Sequence, residues 1–392
     1  MSAPLRAPAR APLEGLLVLD LAQFLSGPSA ALRLADLGAR VIKIERPGSG
    51  DICRTLYLTD TEIAGDSTLF HAINRNKESV ALDLKNADDL AALKGLVARA
   101  DVLIQNFRPG VIERLGLGYE QARAINPRLV YAGVSGYGET GPWAGLPGQD
   151  LLAQSLSGIT WLNGNDGDGP VPLGLSIANI QAGHILTQGI LAALVQRAVT
   201  GMGAQVQTSL LEALIDLQFE MLTTYLNDGG RAPQRAGYRN ANAYLAAPYG
   251  VYPTADGYLA LAMMPLAQLA ATLPLPPLLE YSAQEAFTRR DEIKRLVAAE
   301  LMRETTAHWL ARLRPDDVWC AEVLDWPRLV ESEAFARLDM LQTVQRGGGA
   351  PVRTTRAPLR IDGMRAAASR AAPRVGEHSE SVLAEFGLNA AR

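Results

Sequence analysis

The sequence predicts an α/β fold with an open, mostly parallel sheet. Two observations carry that expectation. Short apolar runs alternate with amphipathic segments from Leu16 onward, and loops rich in Gly, Pro and Asp follow the runs. A third pattern, a hairpin near Tyr249, marks a smaller second region.

Residues 16–19 read as a buried strand. Ser26-Gly27-Pro28 opens a helix to about Leu37, because a proline in the first turn lacks an N–H that would be unpaired anyway. Residues 41–44 form the next strand, and residues 45–51 (ERPGSGD) a loop. A strand over 79–84, a helix around 88–98 and a strand over 101–104 repeat the unit, and residues 128–134 add another strand. Ligands of such sheets bind at the carboxyl ends of the strands. Residues 173–183 leave an extended run and enter a helix over 179–198. Its apolar residues Leu186, Ile190, Leu191, Leu194 and Val195 follow helical spacing. Residues 203–207 read as a strand and 209–225 as one long helix. The loop-rich stretch at residues 227–231 (NDGGR) breaks the texture and marks a domain boundary. Beyond it, residues 249–252, the Asp256-Gly257 turn and residues 258–261 make a hairpin, and helices follow to about residue 313. The stretch from Arg353 has little periodicity, and no internal repeat is present.

Composition narrows the function classes. The chain has 392 residues, 48% apolar and 20% charged, enough for one elaborated domain or two. A net charge of −4 with no basic run leaves no footprint for nucleic acid or a membrane surface. The first ten residues lack a signal-peptide core and read as a frayed tail. No apolar run is long enough to span a membrane, so a cytoplasmic location is the default. Cys53 and Cys320 lie far apart, and the four histidines are scattered. A disulfide scaffold is excluded, and no zinc or other metal spacing is present.

The first strand–helix junction lacks Gly-x-Gly-x-x-Gly. Glu45 ends the second strand as a ribose-binding acid would, but Arg46 follows it and suits phosphate. Arg75, Lys77, Arg108 and Arg114 also fall in loops beside strands. Any one of them reads as a solvated charge, whereas several at one sheet edge converge on an anion. The residues thus point to a phosphate-bearing ligand held without the nicotinamide motif. Asn179 opens a core helix, as an N-cap or at a position where the helix dipole favours negative charge.

Several blocks then occur in a fixed order: residues 13–20 (LEGLLVLD), 38–51 (GARVIKIERPGSGD), 74–77 (NRNK), 82–85 (LDLK), 101–116 with NFRPG at 106–110, 136–142 (GYGETGP) and 376–378 (GEH). Together they resemble the class III coenzyme A transferases, the group of formyl-CoA and carnitine CoA-transferases and α-methylacyl-CoA racemases. The resemblance implies a Rossmann-like large domain over 1–225, a smaller α+β domain over 226–320, and a segment over 321–392 that rejoins the large one. It also implies an interlocked-ring homodimer. It further implies no permanently bound cofactor, with coenzyme A and acyl-CoA as substrates and a small mono- or dicarboxylic acid as acceptor. The implied CoA site comprises Leu25, Ser26 and Arg46, then Leu82, Asp83, Leu84 and Lys85. Asn106, Phe107, Arg108 and Arg114 continue it, with Ser135, Gly136, Tyr137 and Gly138.

In the family an aspartate about ten residues before a Gly-Ile-Leu-Ala-Ala-Leu run attacks the donor thioester, forming a mixed anhydride and releasing CoA thiolate. The thiolate then gives an aspartyl thioester, which the acceptor carboxylate resolves. Counting back from Gly189 lands on Asn179. A carboxamide is uncharged and weakly nucleophilic, so this chain is expected to bind CoA esters and to transfer CoA extremely slowly or not at all. Two origins fit: a deliberate Asp-to-Asn substitution that traps substrate, or a natural member that lost or moved its chemistry. Asp150 is the substitute nucleophile, or the cap of a helix running to about Ile159. Gln149-Asp150 stands where racemases carry a His-Asp pair, and glutamine exchanges no proton at neutral pH. His184 is read as structural. Leu25 replaces a glutamine found in one transferase branch, Tyr244-Leu-Ala-Ala-Pro248 replaces its glycine-rich loop, and Gly347-Gly348-Gly349 lies too late and reads as a turn. Arg231, Arg235 and Arg239 are candidates for meeting a second carboxylate. The alternatives are a racemase-like enzyme and a non-catalytic CoA-ester binding protein.

Overall fold

The computed structural model describes residues 11–346, 351–366 and 368–389. The expected tail over residues 1–10 and the turn at Gly347-Gly348-Gly349 lie outside them. The chain divides into two compact units, the first Met1–Ala153, Ser176–Leu217 and Leu338–Arg392, the second Gln154–Leu175 and Gln218–Arg337.

The first unit begins with β1 (Leu17–Asp20), α1 (Ser26–Asp36) and β2 (Arg40–Glu45). A small antiparallel pair, β3 (Glu62–Ile63) and β4 (Asp66–Ser67), precedes α2 (Thr68–Asn74) and β5 (Lys77–Ala81). Then come α3 (Ala87–Val97), β6 (Val102–Gln105), α4 (Val111–Arg114), α5 (Tyr119–Ile125) and β7 (Val130–Ser135). After α6 (Asp150–Ser157) follow α7 (Ile177–Thr200), β8 (Gln205–Ser209) and α8 (Leu210–Leu217). The sheet has six strands in the order β5-β2-β1-β6-β7-β8, and every pairing is parallel. The chain grows outward from β1 to β5, then returns to lay β6, β7 and β8 on the other flank. The β1–β6 junction is therefore the topological switch point.

Both faces of the sheet are buried, as in parallel sheets generally. Leu19, Ile42 and Leu103 share one core with Leu93, Leu96 and Val97 of α3. Each of those side chains contributes roughly 1.5–3 kcal/mol by leaving water. Elsewhere in this unit α1 packs on α7 through a glycine: a Cβ at Gly183 would meet Ser29 Oγ at 2.2 Å and the Ser26 carbonyl at 2.9 Å.

The second unit contains α9 (Phe219–Asn227) and the expected hairpin, β9 (Gly250–Pro253) paired antiparallel with β10 (Tyr258–Leu261). It continues through α10 (Leu266–Thr272), α11 (Glu285–Thr288), α12 (Arg290–Leu301) and α13 (Thr306–Leu313), and β11 (Cys320–Glu322) joins β10. Its core centres on Trp309, whose indole N–H donates to the Leu301 carbonyl at 2.7 Å.

Three sequence expectations change. β5 starts at Lys77, earlier than residue 79, because its inward residues Lys77 and Ser79 are buried on polar partners and hide the apolar signal. The helix expected over 209–225 breaks at Gln218, since α8 buries Leu210, Leu211, Ala213 and Leu214 whereas α9 buries none of its residues. The second unit spans 218–337 and adds 154–175, where the expectation was 226–320. The weakly periodic end holds a hairpin, β12 (Leu341–Val344) with β13 (Val352–Thr355), and a helix, Ser379–Glu385, that buries Val382 and Leu383 in the core of the first unit.

Candidate active site

All the CoA-site candidates end or follow a strand on the carboxyl edge of the sheet. Leu25 and Ser26 come after β1, Arg46 after β2, and Leu82, Asp83, Leu84 and Lys85 after β5. Asn106, Phe107, Arg108 and Arg114 come after β6, and Ser135 to Gly138 end or follow β7. Arg46, Asp83, Lys85, Arg108 and Arg114 are exposed there. Leu82 is not: at 1% exposure its side chain belongs to the core, so only its main chain faces the edge. Ser26 is also buried, in the first turn of α1.

Asn106 ties the two sides of the switch point together. Its Oδ1 accepts from the Gln23 N–H at 2.9 Å and its Nδ2 donates to the Gln23 carbonyl at 2.7 Å. Beneath this loop lies a buried ionic set. Lys43 Nζ sits 2.8 Å from Asp51 Oδ2 and donates to the Ala22 carbonyl at 2.9 Å. Lys77 Nζ donates to Asp20 Oδ2 at 2.8 Å. Burial alone would raise the Asp20 carboxyl, but the two ammonium groups outweigh it and hold it below the usual carboxylate range.

Two cations placed by sequence near the anion, and the acid that ends β2, are internal. Lys77 is committed to Asp20, and Arg75 pairs with Asp36 at 2.8 Å. Glu45 is no ribose acid: it takes two bonds from Arg54, at 2.9 and 2.7 Å, and one from Ser79 Oγ at 2.6 Å. Each pair desolvates together, which a charge in a loop-like sequence cannot announce. Arg235 is likewise occupied, donating to the carbonyls of Asn163 and Gly169 within the second unit.

A cavity of about 410 Å³ opens at the carboxyl ends of β6, β7 and β8. The candidates Phe107, Arg108, Ser135, Tyr137 and Gly138 line it, and Gln105, Thr208 and Glu212, which no sequence signal marked, complete it. Ser135 Oγ accepts from the Gly138 N–H at 2.9 Å and shapes the loop after β7. That loop closes on residue 148 through two glycines, since a Cβ on Gly136 would lie 2.7 Å from the Gly148 Cα. A larger apolar cavity, about 500 Å³, lies between Leu37, Leu191 and Leu359 and holds none of the CoA-site candidates.

Asn179 is the third residue of α7, and Ser176, not Asn179, occupies the N-cap position without a side-chain bond. The capping carboxylate arrives from elsewhere. Asp150 Oδ2 accepts the Asn179 main-chain N–H at 3.0 Å and its Nδ2 at 2.9 Å. A carboxylate there satisfies an otherwise orphan N–H and opposes the positive end of the helix dipole. His184 lies just over one turn further along α7, its imidazole held below its usual range by partial burial and by Arg33.

Among the described residues no group of side chains forms a metal site, and no helix is long and apolar enough to cross a membrane. The sequence is 33% identical over 398 residues to an acetyl-CoA:oxalate CoA-transferase of Acetobacter aceti, covering 98% of each chain. It is 32% identical to a succinate–glutarate CoA-transferase of Agrobacterium fabrum, covering 96% of each. The fold superposes on a crystal structure of a CAIB/BAIF family protein from Brucella suis with a TM-score of 0.84 at 29% identity, covering 96% of this chain and 100% of that one. Residues 13–379 match CoA-transferase family III, and the chain belongs to that family.

Proposed function

We propose that this protein binds an acyl-CoA along the carboxyl edge of its parallel sheet and presents the thioester to residue 179, where transfer stops for want of a carboxylate. The exposed cations Arg46, Lys85, Arg108 and Arg114 supply the charge for the nucleotide phosphates. The polar cavity beside β6–β8 takes a neutral, amide-bearing arm, with the Gln105 side chain among its hydrogen-bonding groups. The acceptor is a small mono- or dicarboxylic acid; relatives named for oxalate and glutarate support that range.

The observation that carries the reading is the seat of Asn179. It stands in the first turn of α7, where an oxyanion is stabilised, and its amide is pinned by Asp150. A carboxylate in that place would attack the thioester carbonyl, form the anhydride and release CoA thiolate. The carboxamide fills the same shape without the charge or the nucleophilicity.

The test is Asn179→Asp. With acyl-CoA donors and a panel of small acids, the variant is expected to exchange CoA and to show a covalent adduct on residue 179 by mass spectrometry, while the chain as it stands shows neither. No exchange by the variant with any pair sinks the reading.

The working unit is read as a homodimer. α7 leaves Val195 70% and Val199 86% exposed in its last two turns, and α9 exposes Phe219 and Leu226 at 68% and 67%. Helices of that kind are covered in a stable assembly. Light scattering on a sizing column checks it, and a monomer at micromolar concentration overturns it.

A further inference from the structure

The loop between β1 and α1 holds a bulky apolar residue in a conformation that resists it. Phe24 has φ +62°, the left-handed region that side-chain-bearing residues rarely adopt, and it is 45% exposed. The loop is not free to relax. The Leu21 N–H donates to the Ile104 carbonyl and the Ala22 N–H to Asp20 Oδ1. Gln23 is clamped on both sides by Asn106, and the Phe24 N–H donates to Asp51 Oδ1 at 3.2 Å. Asp51 is itself fixed by Lys43, both nearly inaccessible to solvent. Buried ion pairs add little net stability, so their contribution here is to geometry. A strained residue that its surroundings over-determine points to a use for the strain.

Its position suggests the use. Phe24 stands at the topological switch point, two residues before α1. Gly183 of α7 seats on Ser26 and Ser29 of α1, and both helices start at the carboxyl edge. Phe24 and Asn179, the latter one turn before Gly183, therefore lie at the same end of this helix pair. Resting on the function proposed above, we infer that Phe24 is a specificity-determining wall of the acyl site, taking the alkyl carbons of the thioester presented to residue 179.

Binding alone tests this, because the chain carries Asn179. Calorimetric titrations with free CoA, acetyl-CoA, butyryl-CoA and hexanoyl-CoA are expected to show affinity rising with acyl length. In Phe24→Gly, whose backbone accepts the left-handed turn, the rise from acetyl to hexanoyl is expected to shrink about tenfold. Phe24→Leu keeps most of it. A thermal melt of the glycine variant at or above the parent value shows that the turn still forms. A parent series with no rise, or a rise undiminished in Phe24→Gly, overturns the inference while leaving CoA binding in place. Failure of the parent to bind CoA at all removes the function proposed above, and this inference with it.

Discussion

Asn179 gives both of its nitrogen donors to a single oxygen of Asp150, the main-chain N–H at 3.0 Å and the carboxamide at 2.9 Å. Asn179→Asp keeps the first bond and turns the second into a contact between carboxylates. Such a pair retains a proton above the ordinary carboxylate range in the folded state. The folded protein then binds more protons than the unfolded chain in that window, so stability falls as pH rises through it. The variant is expected to be less stable than the parent by about 1–3 kcal/mol at pH 7, with the gap narrowing at pH 5. Urea unfolding at the two pH values measures it, and a gap that widens at pH 5 contradicts the pairing.

Asp150→Ala should cost more than an exposed substitution. It leaves the Asn179 N–H and amide without this acceptor at the start of α7. A loss of about 1–2 kcal/mol is expected. Hydrogen exchange at the amides of the first α7 turn should quicken together with it, and an unchanged exchange rate there would show that the cap is not Asp150.

Two cations expected alike from sequence should behave oppositely. Lys77→Met strands Asp20 inside the core, with Lys43 at 3.8 Å as its remaining ion-pair partner, and is expected to destabilise the protein by about 3–5 kcal/mol. Arg46→Ala is a surface change worth within about 0.5 kcal/mol, but it should weaken CoA binding and flatten its dependence on salt. Paired melting and titration experiments separate the two; equal effects on stability would refute the assignment.

The Cys53 thiol is buried completely, and burial pushes it up to about 12. Since the thiolate is the reactive form, iodoacetamide at pH 8 should leave Cys53 unmodified in the folded protein and label it in urea. Peptide mapping before and after denaturation reads this directly. Rapid labelling of the native protein would mean that the segment around residue 53 opens.

The sheet is legible because β1, β6 and β7 are buried nearly throughout and each opens on consecutive apolar residues. β5 was blurred because its inward positions hold Lys77 and Ser79, whose partners Asp20 and Glu45 lie 57 and 34 residues away. A separation of 39 residues from Asp36 likewise hid the internal role of Arg75, and that of Glu45 was hidden because Arg54 lies beyond an intervening loop. Asn179 is located by counting along a family pattern, while the residue that holds it, Asp150, reads in sequence as a substitute nucleophile or as the cap of its own helix. Gln105, Thr208 and Glu212 carried no signal, since they become neighbours only when β6 and β8 flank β7. The break at Gln218 was invisible for a related reason. Propensity continues through it, and only the surroundings of the two halves differ.

The first unit is sewn from three separate stretches of chain, and its last stitch is Val382 and Leu383, set into the core beside β5. A ribosome delivers those side chains long after the strands they cover. Until then the core around Val80 and Leu93 lacks part of its cover, although every sheet strand has already been made. Over that interval the nascent protein has a complete sheet with exposed apolar surface, a state prone to aggregation. A chain cut before Ser379 would keep every residue of the candidate site and lose two side chains from that core.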